Sequence, residues 1–204
     1  MEFDKIKNKG QARLFQNDYM EMMTKTHPIV IYSMYFPVII FMLYYGASYK
    51  GLSVWAEIGL FIGGALFWSL FEYIMHRYLF HMIVESPRAK KFVYTMHGVH
   101  HEYPRDQERL FMPPVPSLII ACILFTIAQK LMGWSALAFF PGFLFGYMMY
   151  GSMHFAIHAF APPKFMKALW RNHHLHHYSA PDKGFGVSSV LWDVIFRTVP
   201  KKEG

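Results

Sequence analysis

The chain has 204 residues, a formal net charge of +7, 54% hydrophobic residues and only 16% charged ones. So few charges, against roughly 25% in soluble domains, exclude an ordinary water-facing surface and make lipid part of the solvent. The basic residues lie between apolar runs, which assigns the positive charge to a membrane surface and not to nucleic acid. The single cysteine, Cys122, excludes an intrachain disulfide and argues against thiolate metal ligation.

Residues 1–27 are polar and mixed in charge, without the apolar core of a signal peptide, and are expected to form a cytoplasmic N-terminal segment. From Pro28 the run PIVIYSMYFPVIIFMLYYGAS is uncharged for about twenty residues, the length that crosses a bilayer, with Pro37 expected to kink it. After the turn YKGLS, a second apolar run lies between Glu57 and Glu72 and ends near His76. A polar stretch over 77–112, rich in His and Arg, stops at Pro113–Pro116, which launches a third run. Gly133, Trp134 and Ser135 turn the chain into a fourth, and beyond Pro162 and Pro163 it is polar again except for VLWDVIF. Spans are thus expected at 28–48, 54–76, 117–134 and 136–155. The fold class is all-α integral membrane: four transmembrane helices as two hairpins, with a helical cap on one side.

Charge sets the expected orientation. Residues 1–27 hold five Lys/Arg, 77–112 six and 161–204 seven, while the two turns hold only Lys50 and Lys130. The basic side, carrying both termini and the cap, should be cytoplasmic.

Twelve histidines are the anomaly. They fall into HRYLFH (His76, His81), HGVHH (His97, His100, His101), HFAIH (His154, His158) and HHLHH (His173, His174, His176, His177), with His27 alone before the first span. All four groups sit at the cytoplasmic end of a span or in a cytoplasmic segment. Residues four apart share a helix face, so His154 with His158, His97 with His101, and His173 with His177 can each grip one ion. His100 and His176 are rotated about 100° from their immediate neighbours and can reach a second ion. His174 points away from the His173/His177 face and is left out. Imidazole suits Zn, Cu, Fe and Ni, but a structural zinc site closes at four ligands, usually with Cys. A nitrogen-rich pair of irons that activates O2 is the better fit, with zinc an alternative occupant in a purified sample.

The stretches WSLFEYIMHRYLFH, MHGVHHEYPRDQERLFMPPVPS and HH-x6-GFGVSSVLWDVIFRT resemble the fatty acid hydroxylase superfamily, and within it the fatty acid 2-hydroxylases. The resemblance covers about Trp68 to Pro200 and makes 28–204 a membrane fatty acid hydroxylase domain. It implies that one metal takes His76, His81, His97, His101 and His176, and the other His100, His154, His158, His173 and His177. It also implies O2-dependent hydroxylation at C2 of a fatty acyl chain, free or in a sphingolipid. These 27 leading residues cannot be the cytochrome b5 domain of many eukaryotic members, so a separate cytochrome b5-like or ferredoxin-like donor is expected. Gly151 stands where animal members carry an acidic residue.

The lipid substrate is expected to enter from the bilayer, its polar head stopping it just past the metals. Tyr78, Tyr94, Tyr150 and Trp170 are candidates for binding that head or for an interfacial aromatic belt. Glu72 and Asp193 are candidate acceptors for the outer N–H of metal-bound histidines. Arg105, Arg109, Lys90 and Lys91 are expected on the surface, facing anionic lipid or an acidic donor. The rival readings are a sterol or carotenoid oxidase with the same metal core, a membrane metal carrier, and a zinc hydrolase. No histidine lies mid-span to carry a metal across, and there is no HExxH.

Overall fold

The computed structural model describes residues 6–201, and among these every regular element is helical. The first five residues of the expected N-terminal segment and the last three of the expected membrane domain lie outside the described residues. A short α1, Asp18–Met22, precedes α2, Pro28–Lys50. Pro28 presets the first turn of α2, the His27 ring accepts the Ile29 N–H, and Gly51 ends the helix in the left-handed conformation. Ser53 caps α3, Val54–Ile74, which runs on without a break into a wider π turn, Met75–Phe80. The same device follows α4, Pro87–Val93, where a π turn at Tyr94–Gly98 leads into α5, Val99–Glu102. Helices α6, Pro114–Met132, and α7, Ala136–Ala159, are joined by the tight turn Gly133–Ser135. The chain finishes with α8, Lys167–Tyr178, and α9, Leu191–Ile195.

Three stretches are long and apolar enough to cross a membrane: Pro28–Lys50, Val54–Phe80 and Gln107–Ala159. The third is 53 residues long and contains both α6 and α7. Helix α7 is the most buried and lies at the centre. It runs parallel to α3, with Gly142 against the main chain of Phe61 and Gly64 against that of Phe139. A Cβ at either glycine would sit 1.9 Å from a backbone carbonyl oxygen, so only glycine lets the two main chains approach this closely. Helix α2 is antiparallel to α7. Tyr32 hydrogen-bonds Ser152, the Tyr35 ring meets Tyr147 edge-on at 5.9 Å, and Gly46 faces Leu137. Helix α6 is antiparallel to α7 as well, because Ser117 bonds the Tyr35 hydroxyl at 2.7 Å and Phe125 meets Phe140. One end of the bundle therefore gathers the start of α2, the start of α6 and the ends of α3 and α7.

The outward faces are apolar: Ile40, Phe41, Leu66 and Leu131 are each more than 60% exposed. Left in water, each such side chain forgoes about 1.5–3 kcal/mol of burial. Hydrocarbon around the bundle removes that cost.

The N-terminal segment is packed against the stretch around Glu102–Glu108. Its Lys7 and Thr26 N–H groups donate to the Glu102 and Glu108 carbonyls, both at 2.7 Å. One expectation is corrected here. The Arg109 side chain is only 4% exposed, its guanidinium held by Asp106 and by Glu21 of α1, so it cannot face a partner. Burial pushes the Glu21 carboxyl up, but the Phe15 and Leu14 N–H donors and Arg109 together hold it below its ordinary value. Arg105, Lys90 and Lys91 do stay exposed.

Candidate metal centre

Each histidine is aimed by its local helix. In an α-helix, residues five apart point about 140° away from each other. The π turn bonds the His81 N–H to the His76 carbonyl at 3.2 Å and so returns both rings to one side. His154 and His158 lie one turn apart on α7, as do His173 and His177 on α8, whereas His97 belongs to the second π turn and His100 and His101 to α5.

The ten side chains gather as two groups. One holds His76, His81, His97, His101 and His176; the other holds His100, His154, His158, His173 and His177. Within each group one ring nitrogen per residue lies within 4.8 Å of all the others. The facing atoms are Nε2. In the first group His97 Nε2 is 3.0 Å from those of His76 and His101. In the second, His100 Nε2 is 2.8 Å from that of His154 and 3.0 Å from that of His177. His173 Nε2 is 2.9 Å from that of His158 and 3.1 Å from that of His177. The groups touch where the His101 and His177 rings stack at 4.3 Å.

The donor chemistry fits cations. The Nδ1–H of His76 donates to the Phe185 carbonyl and that of His176 to the Lys183 carbonyl, both at 2.6 Å. A carbonyl only accepts, so the proton is on Nδ1 and each Nε2 presents a bare lone pair. The His176 Nε2 is buried with no hydrogen-bond partner among the described residues. Lone pairs crowded at these distances repel one another unless a positive charge sits among them. Ligands about 2.1 Å from a first-row ion and at right angles lie about 3 Å apart, the spacing seen here.

Electrostatics keeps these rings neutral, the form that binds metal. Burial, then repulsion from neighbouring imidazoles, pushes His81 down to about 2. The same two causes hold His97, His100, His101, His173, His176 and His177 well below their ordinary value.

Both candidate carboxylates act one step further out, on the main chain. Glu72 accepts the Ser188 and Val187 N–H groups at 2.8 and 3.2 Å and the Trp68 indole N–H at 3.1 Å. Asp193, fully buried, accepts from the N–H groups of Phe185 and Gly186, from the Asn172 amide and from the Thr198 hydroxyl, all at 2.8–3.0 Å. Together they fix the loop whose Phe185 carbonyl orients His76. The carbonyls of Phe185 and Lys183, with Asn172 and Thr198, escape sequence reasoning. A main-chain acceptor has no residue signature, and GFG next to LWD is the only trace of the loop.

The remaining candidates separate. His27 caps α2, and His174 is exposed on the outer side of α8. Trp170 is buried, its N–H given to the Phe160 carbonyl at 3.0 Å, so it belongs to neither a head-group site nor an aromatic belt. Tyr150 stacks on His154 at 5.8 Å. Tyr94 bonds Glu102, and Tyr78 is 61% exposed beside Arg77. A cavity of about 630 Å³ reaches His158 past Arg105, His174 and Tyr178, and another of about 410 Å³ reaches His81 past Arg77, Tyr78 and Phe185.

Against known proteins, a family model described as fatty acid hydroxylase matches residues 61–198. A dihydroceramide fatty acyl 2-hydroxylase of Arabidopsis thaliana is 39% identical, over 92% of this chain and 80% of the relative. The fatty acid 2-hydroxylase of Homo sapiens is 32% identical, over 93% of this chain and 57% of the relative. A solved structure of full-length scs7p, in which only the hydroxylase domain is visible, superposes with a TM-score of 0.87 at 36% identity, covering 96% of this chain and 75% of that one.

Proposed function

The chain belongs to the fatty acid hydroxylase family, and from that premise we propose that it is a membrane monooxygenase that uses O2 and two iron ions to hydroxylate C2 of a fatty acyl chain. The substrate is a free fatty acid or a sphingolipid acyl chain, as the names of the relatives suggest. The observation that carries the reading is the pair of five-histidine clusters with converging Nε2 atoms. When bound, iron supplies the redox chemistry with O2 that an acyl C–H bond demands and that zinc lacks. The protein orients the ligands through the Phe185 and Lys183 carbonyls, keeps the rings neutral by burial, and excludes water from the clusters.

Four spans, α2, α3, α6 and α7, cross the bilayer in this reading. Both termini and the clusters lie on the cytoplasmic side, supported by the basic residues gathered at that end. The acyl chain comes from the bilayer and the head group stays at the interface, so depth selects C2. Electrons come from a separate cytochrome b5-like or ferredoxin-like protein.

The test is expression in cells that lack 2-hydroxy lipids, followed by mass spectrometry of the hydrolysed lipids. The parent is expected to yield 2-hydroxy acids, and His100→Ala and His176→Ala at least about 100-fold less. Equal yields from the variants would sink the two-metal site. A different oxidised lipid in their place would sink the substrate.

A further inference from the structure

The apolar patch VLWDVIF supplies no histidine to the clusters. We infer that α9 and residues 196–201 form a foot of the cap inserted into the lipid beside α3, resting on the reading of α3 as a membrane span.

Depth is the first ground. The Trp192 indole N–H donates to Ser69 Oγ at 3.0 Å, and the Phe196 ring stacks on Tyr73 at 5.2 Å and 16°. Both partners belong to the apolar stretch Val54–Phe80. Ser69 lies about 8 Å along the α3 axis from Ile74, on the bundle side. Segments lying in the interface sink about 5–10 Å into the head-group and acyl boundary.

Exposure is the second. Leu191, Val194, Ile195, Phe196 and Val199 are 44–60% exposed, and α3 shows Leu66, Phe67 and Ile74 outward along the same stretch. The polar groups of the segment are turned inward or satisfied, as hydrocarbon requires. Asp193 is fully buried on its four donors. The N–H groups of Leu191, Val194, Phe196, Arg197 and Thr198 all find acceptors within residues 189–194. Exposed Arg197 and Lys201 are long enough to return their charges to the head groups. The occupant of this face is therefore the hydrocarbon of the same bilayer. Because Asp193 sits in the foot and grips the Phe185–Gly186 loop, lipid seating and the aim of His76 share one segment.

Nitroxide labelling in phosphatidylcholine vesicles tests this. Cys122→Ser removes the native thiol, and labels at Ile195→Cys and, independently, Val199→Cys are read by collision with O2 and with a water-soluble nickel chelate. Leu66→Cys serves as the lipid reference and Arg171→Cys as the water reference. Retained hydroxylase activity shows that each labelled chain is folded, and the second position serves if the first does not fold. Both foot labels are expected to match Leu66, with an O2-to-nickel ratio several-fold above that of Arg171. A ratio matching Arg171 overturns the foot. Access by neither collider, which means a second copy or another protein covers the face, overturns it too. If Leu66 itself reads as water, the span and the foot fall together; if only the foot labels do, the span stands.

Discussion

The two histidine clusters are equal in ligand number and close in burial, yet they are held from behind in different ways. In the first, His76 and His176 hand their outer N–H groups to the Phe185 and Lys183 carbonyls, on a loop that Asp193 and Glu72 grip. In the second, Nδ1 of His100, His173 and His177 has no hydrogen-bond partner among the described residues. Aim comes there from the helices themselves, as two residue pairs one turn apart on α7 and α8 joined by His100 from α5. Regular helix spacing suffices where it can deliver the ligands in pairs. Where His76 comes from an irregular turn, and His176 from the other side of α8, a loop carbonyl takes the outer N–H.

The largest effect should come from removing a ligand on each side of that contrast. His177→Ala and His176→Ala are each expected to lower bound metal from about two ions per chain toward one, read by elemental analysis of protein in bilayer discs, the second cluster failing in the first variant and the first cluster in the other. Loss of both ions in either variant would mean the clusters bind as a unit. A smaller effect is expected from Asp193→Asn, which keeps the shape but weakens the grip on the Phe185–Gly186 loop. It should lower metal affinity about 10- to 100-fold in one of the two sites only, seen as a split in a metal titration. An equal drop at both sites would break the comparison. The smallest difference is expected with pH. His81 and His97 of the first cluster, and His100, His173 and His177 of the second, are held neutral, with folded values below the unfolded value of about 6.5. The unfolded chain therefore binds more protons as the pH falls. Stability of the metal-free protein should be complete above pH 6.5 and decline below it, followed by thermal melts. Variants of either cluster should shift that decline alike, because burial and not the carbonyl loop causes it.

The all-helical build was legible because long uncharged runs between Pro, Gly and Ser signals leave little else. The gathering of His154 with His158 and of His173 with His177 was legible as well, since spacing by four is a statement about one helix face. HxxxxH was not, because its meaning depends on a π turn that no residue announces. Nor was the burial of Arg109, which needs Glu21 to arrive from 88 residues away. Trp170 misled in the same way. An aromatic residue next to a polar segment reads as interfacial until a carbonyl such as that of Phe160 claims its N–H. Asp193 and Glu72 were identified as acids near the histidines, while their grip on a main-chain loop depends on where the chain returns after α8.

The glycine contact between α3 and α7 has a consequence for distance. His76 lies twelve residues beyond Gly64, and His154 twelve beyond Gly142. The two helices are parallel from that crossing onward, so each cluster receives a histidine at the tip of an arm about 18 Å long. The pair works as a caliper pivoted at the glycines, and its two jaws carry one ligand of each cluster. Residues along the outer faces of the arms can change without altering the gap between the jaws. A single methyl group at the pivot would spread the jaws.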